Sequence, residues 1–284
     1  MDDTRLESSR RRVLQCCALG SLTGLAGCLG PFGDDEPPED DELPGLFDLA
    51  GDGTEQFVDW LAPESPHGNG EGQETLFIYQ DFVEYAERGI EPMERYRRDQ
   101  AAAFGTDPEI HEGELSVGIP GTDAVGRIYV GEFDVDAITE HLESQGGTVT
   151  DEYDGYTVFN DTIAVGDDAL LVTPEYDSHI DAKNGDGPHL RDENAAAGLI
   201  LALQPHGVQI SATRRSDSNL EASGTTFFDL DGDGNPQRVI RTFVFESPED
   251  ASVEAAKEIA AGGRFDTTLT DEHHGRVVML ESEA

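Results

Sequence analysis

Residues 148–159 read TVTDEYDGYTVF, and 120 residues further on, at 268–279, the chain reads TLTDEHHGRVVM. In the first stretch Asp154-Gly155 stands between alternating residues. That predicts a two-residue β-hairpin, because its turn needs positive φ and Asp-Gly supplies it. Six of the twelve positions return in the second stretch: Thr148, Thr150, Asp151, Glu152, Gly155 and Val158 become Thr268, Thr270, Asp271, Glu272, Gly275 and Val278. The second stretch therefore reads as the same hairpin, with His273-His274 at its tip where the first has Tyr153-Asp154.

The surroundings repeat in the same order. Before the first hairpin come strand-like runs at 113–119 and 124–133, then a helix at 134–145 that Asp134 caps and Gly146-Gly147 stop. Before the second come runs at 223–230 and 237–246, then a helix at 248–261. Ser247-Pro248-Glu249-Asp250 gives that helix a cap and a first-turn proline, and Gly262-Gly263 end it. The order predicts an α+β fold: two related β-β-α-β-hairpin units, 54–185 and 186–284, with helices packed on antiparallel sheet.

The first unit holds a further hairpin, IAVGDDALLVT at 163–173. It opens with TEQFVDWL at 54–61, a short amphipathic helix carrying the single tryptophan, Trp60, and then a strand at 75–80. Two helical pieces flank Gly89 and Pro92. The second carries ERYRRDQ at 94–100, and the i,i+4 pairs Glu91–Arg95 and Glu94–Arg98 predict a solvated, salt-bridged helix rather than a patch for an acidic ligand. Near the start of the second unit AAAGLILAL, 195–203, is too short to cross a bilayer and fits a buried helix.

Charge sets the environment. Sixty Asp and Glu face eighteen Lys and Arg, a formal net charge of -42. Such a field makes nucleic acid and anionic membrane surfaces poor partners. A folded chain this acidic repels itself unless salt screens it, and the Debye length falls to roughly 3 Å at 1 M, so the composition predicts a protein built for multimolar salt.

The N-terminal stretch SRRRVLQCCALGSLTGLAGC, residues 9–28, has the order of a twin-arginine export signal: Arg10 and Arg11, a spacer, then apolar residues. Its apolar segment, Val13 to Gly27, is shorter than the roughly 20 residues of a spanning helix. It ends in Leu25-Ala26-Gly27-Cys28, which resembles a lipobox. The whole resembles the exported lipoproteins of halophilic archaea. That resemblance implies removal of residues 1–27, a diacylglycerol-type lipid on Cys28, and a place on the outer face of the cell membrane; two chains anchor stably where one does not. Cys16 and Cys17 would leave with the signal. Residues 28–53 follow as an acidic, Pro-rich stalk.

Chemistry is sparse. DLDGDGNPQ, Asp229 to Gln237, matches a calcium loop in part: Asp229, Asp231 and Asp233 at positions 1, 3 and 5, Gly234 at 6, and the Asn235 carbonyl at 7. Ile240 stands where the bidentate Glu belongs, so a solvated turn competes with a Ca2+ site. His111-Glu112 begins HExxH, but Leu115 replaces the second His. No GxSxG elbow, Walker loop or GxGxxG occurs. No catalytic residue and no firm cofactor are assigned. The expected role is a non-catalytic binding module for an envelope protein or a small ligand. A secreted hydrolase using acidic residues or a bound cation is the alternative, and an importer's solute-binding lipoprotein ranks below it.

Overall fold

A computed structural model describes residues 59–62, 75–118, 125–189, 209–214, 219–231, 234–261 and 268–283. All fall within one compact unit, 41–284. The signal, the stalk and the apolar run 195–203 lie outside the described residues.

The elements run β1 (Thr75–Asp81), α1 (Phe82–Glu87), α2 (Glu91–Phe104), a 3-10 turn (Pro108–Ile110), β2 (His111–Gly118), β3 (Val125–Gly131), α3 (Val135–Ser144), β4 (Val149–Tyr153), β5 (Tyr156–Phe159), β6 (Ile163–Val165), β7 (Ala169–Val172) and α4 (Tyr176–Asn184). The second half adds β8 (Gln209–Arg214), β9 (Leu220–Leu230), β10 (Pro236–Phe245), α5 (Val253–Ala260), β11 (Thr268–His274) and β12 (Val277–Glu283). The fold is α+β, as the sequence predicts, and among the described residues the strands form one antiparallel sheet of twelve in the order β11-β12-β10-β9-β8-β1-β2-β3-β7-β6-β5-β4.

Strand register gives the sheet an internal two-fold pattern. At the central pair Ile78 of β1 faces Ser211 of β8. Outward on one side lie Ser116 and Arg127; outward on the other lie Thr225 and Arg241. The strands so matched, VGRIYVG in β3 and VIRTFVF at 239–245 in β10, share Val, Arg and Val at three of seven places. The halves differ beyond that point. β7 and β6 stand between β3 and β5, whereas β12 pairs directly with β10.

Both faces of the sheet are covered in part. On one, Phe77, Leu115, Ile128 and Leu171 pack with Trp60, Leu61 and Ile180 of α4, and the same cluster reaches Ala222, Val244 and Val277 in the second half. The Trp60 carbonyl meets Nδ1 of His179 at 2.7 Å, and the Lys183 ammonium stands 5.5 Å from the Trp60 ring centroid. On the opposite face Tyr129, Phe159 and Leu170 pack under α1, α2 and α3 through Phe82, Phe104 and Ile138. Phe243, Val278 and Leu280 pack there with Ala256 of α5.

Local signals held where a single residue type decides the backbone. Asp134 caps α3 by accepting from the Ala137 amide at 3.1 Å. Asp154 and Gly155 turn the first hairpin at φ 44° and 90°, the positive values that Asp-Gly tolerates.

Three expectations are corrected, and one central strand is added. The second hairpin turns at Gly275-Arg276, so His274 is the last residue of β11 and pairs with Val277. Gly275, at φ 58°, takes the first turn position, where glycine adopts positive φ at least cost. Asp271 then faces Leu280, whereas Asp151 faces Val158. A two-residue displacement of this kind leaves every side chain on its original face.

The helix expected at 248–261 begins at Val253, where Ser252 accepts from the Ala255 amide at 3.1 Å. Ser247 instead closes its own turn, its hydroxyl donating to Asp250 at 2.7 Å, and the chain buries Ala251 before the helix starts. α2 is not simply solvated either: Arg97, in the middle of its basic run, is buried and donates to the Glu109 carbonyl at 2.8 Å. In α1, Glu84 and Arg88 form an ion pair at 2.6 Å. Finally, β8 is a central strand that the sequence reading leaves unassigned.

Candidate functional site

The polar centre of the molecule lies on the α2 side of the sheet. β2 alternates Leu115 and Val117 toward one face with Glu114 and Ser116 toward the other, and β3 sets Tyr129 opposite Glu114 and Arg127 opposite Ser116. α2 brings Tyr96 and Gln100 over this surface. Glu114 is only 3% exposed. One carboxylate oxygen accepts from the Tyr96 hydroxyl at 2.8 Å, and the other accepts from Ser116 at 2.7 Å. Arg127 Nε stands 3.7 Å from the second oxygen, and the Tyr129 hydroxyl donates to Gln100 at 2.8 Å.

Burial raises the Glu114 pKa, while hydrogen bonds from Ser116 and Tyr96 and the charge of Arg127 pull it back down. Burial first, then the charge of Glu114, raises the tyrosines, so both stay protonated donors at ordinary pH. With both its oxygens engaged, Glu114 is a fixed charge that holds two hydroxyls and a guanidinium in place. A general base would need an oxygen turned to substrate. Arg127 differs from its partner: 41% of its side chain is exposed.

His111, one residue before the exposed Glu112, is fully buried at the start of β2 rather than on a helix, with its ring edge-on to Tyr129 and Phe133. Thr106 Oγ1 stands 3.2 Å from the Ala101 carbonyl and 2.7 Å from His111 Nε2. Burial, then the nearby Arg97 charge, pushes the His111 pKa down to about 4. The unfolded chain takes up this proton near pH 6.5, so His111 costs nothing above that value and destabilises the fold progressively as pH falls toward 4, by up to about 3 kcal/mol. Glu114 acts with the opposite sign, since a raised carboxyl favours the folded state on acidification. The His111→Gln variant separates the two. The stability difference between native chain and variant is expected to be flat above pH 6.5 and to shift by up to about 3 kcal/mol against the native chain toward pH 4; parallel curves would contradict the assignment.

Most of the residues singled out in the sequence fall outside the description. Cys28, Arg10 and Arg11 lie outside the described residues. In the Asp loop, Asp231 accepts from the Asn235 amide at 2.8 Å and from its side chain at 3.2 Å, and the Asn235 carbonyl accepts from the Asp231 amide at 2.9 Å. The position-7 carbonyl is thus engaged within its own turn. Asp233 and the Asp229 side chain fall outside the description, and among the described residues no group of three His, Cys, Asp or Glu is placed to hold a metal. His273 contacts the Gly275 carbonyl at 2.9 Å on an exposed turn. The Glu114 cluster went unread because alternation in GELSVG predicts only a solvent face; α2 covers it, and nothing in β2 encodes that helix.

No protein-family model matches the chain, and no curated protein does. Solved structures of TP0453 are similar in part. Crystal form IV aligns with a TM-score of 0.41 at 8% identity over 79% of this chain and 95% of that one. Crystal form I gives 0.40 at 10% over 78% and 92%, and crystal form III gives 0.39 at 9% over 76% and 91%. A likeness at this level carries no argument about function.

Proposed function

We propose that this chain is a lipid-anchored protein of the outer cell surface, a non-catalytic binding module adapted to high salt. Arg10-Arg11 and the Leu25-Ala26-Gly27-Cys28 sequence support the anchor, and the net charge of -42 supports the salt adaptation. The observation that carries the binding role is the half-buried polar surface at the centre of the sheet. Gln80, Ser116 and Arg127 lie on neighbouring strands there, and Ser223 and Thr225 lie across the central pair. The pairing of β1, β2, β3, β8 and β9 sets these residues on one face of the sheet.

The anchor has a direct test. In membrane fractions of cells expressing the Cys28→Ser variant, the protein is expected to keep residues 1–27 and to lose its lipid-dependent partition into detergent. Unchanged processing and partition would contradict the reading.

A further inference from the structure

We propose that Asn160 is a covalent attachment site for sugar, its side-chain nitrogen taking a glycan from a lipid-phosphate-linked donor at the outer face of the membrane. This rests on the exported, anchored reading above and adds a modification to it. Asn160-Asp161-Thr162 is the only Asn-x-Ser/Thr sequence in the chain, and its middle residue is not proline. That is the pattern N-glycosyl transfer requires. All three residues are exposed, in the turn between β5 and β6. The Thr162 amide closes this turn on the Phe159 carbonyl at 3.1 Å, with Asn160 and Asp161 at φ 51° and 58°. A transferase acting on a folded chain needs its target at the surface, and this turn puts it there.

The turn by itself explains the asparagine but not the threonine. Asn and Asp are tolerated at left-handed φ. Asn160 Oδ1 accepts from the Thr148 amide at 3.1 Å, and the Asn160 amide donates to the Thr148 carbonyl at 3.0 Å. These contacts use only the oxygen of the side chain. Nδ2, the atom that takes the sugar, has no hydrogen-bond partner among the described residues, and neither has the Thr162 hydroxyl, the third element of the pattern. In the transfer Nδ2 gives up one proton and bonds to C1 of the sugar. The bond from C1 to the phosphate oxygen breaks, its electron pair stays on that oxygen, and the lipid phosphate leaves with the proton. Nothing is oxidised or reduced. Donor and acceptor are held by lipid at the same membrane face, which raises the concentration of each near the other.

The native chain, purified from the membranes of the cells that make it, is cut with trypsin. The peptide Ile128–Lys183, which contains Asn160, is then read by mass spectrometry with electron-transfer fragmentation. A sugar mass on Asn160 is expected. Thr162→Ala is expected to abolish it and Thr162→Ser to keep it, with the far-UV spectrum of both variants unchanged. Neither variant touches the contacts between Asn160 and Thr148, so a purely structural role for the asparagine would not produce this difference. An unmodified peptide overturns the proposal. So does sugar found on a Ser, Thr or Tyr hydroxyl instead, or sugar that persists on Asn160 in Thr162→Ala. The N-terminal peptide of the same digest keeps the two readings apart. A lipid-modified Cys28 beside a bare Asn160 overturns the glycan site alone, whereas a bare Asn160 in a chain that retains residues 1–27 overturns both.

Discussion

Below about 1 M KCl the chain is expected to lose its far-UV β-sheet signal in one cooperative step and to regain it when salt is restored. The folded state gathers carboxylates that the unfolded chain keeps apart. Around Tyr153, the hydrogen bond to Asp181, then partial burial, then the charges of Asp181, Asp177 and Asp154 push the phenol up to about 12. Tyr176, beside it, is raised by burial and by Asp151, Asp177 and Asp161. These acids come from the first hairpin, the loop after it and α4, so it is folding that brings them together. At 0.01 M salt the Debye length is roughly 30 Å and nearly every acid in the molecule feels every other; at 1 M only near neighbours interact. Surface ion pairs such as Lys257–Asp271, at 3.1 Å, contribute at most about 1 kcal/mol each. Eighteen cations cannot offset sixty acids by that means. A thermal midpoint identical at low and high KCl would contradict the salt dependence.

Phe245→Ala is expected to remove roughly 3–5 kcal/mol of stability, the cost of truncating a fully buried aromatic that cannot be replaced by collapse of its neighbours. Phe245 is completely buried at the end of β10, in the cluster formed with Leu220, Phe243, Ala251, Val278 and Leu280. Its amide donates to the Arg276 carbonyl at 2.9 Å, so the β9–β10 bulge and the second hairpin both bear on it. The effect is expected to reach the far half of the sheet. The Trp60 cluster includes Ala222, Val244 and Val277, so one continuous core joins both halves. Trp60 emission and far-UV ellipticity should therefore fall together, with a common midpoint lowered by roughly 6–20 °C for a domain of this size. Two separate transitions, with Trp60 unmoved, would show that the halves unfold independently.

How much of this was legible depends on whether a residue type or a tertiary neighbour makes the decision. Asp134 and Asp154-Gly155 act through their own backbone, and both were readable from the chain. The sequence starts α5 at 248, five residues early, because Ser247 and Ser252 are both competent caps, and the choice between them turns on the burial of Ala251. β8, QISATR, has too little apolar character to announce a central strand; β1 and β9 on either side fix it there. The α+β class followed from the order of the elements, but their joining into one sheet did not, because the β1–β8 pairing is set by residues far apart in the chain. The polar cluster was the least visible. Glu114 and Ser116 look like an ordinary solvated strand face until Tyr96 and Gln100 are laid across it.

The central claim, a salt-adapted module tethered through one sulfur, is tested most directly by mass spectrometry of the protein extracted from its own membranes. The account predicts an N-terminal peptide that begins at Cys28 and carries a two-chain lipid as a thioether. A chain that retains residues 1–27, or one that begins elsewhere with Cys28 unmodified, would contradict it.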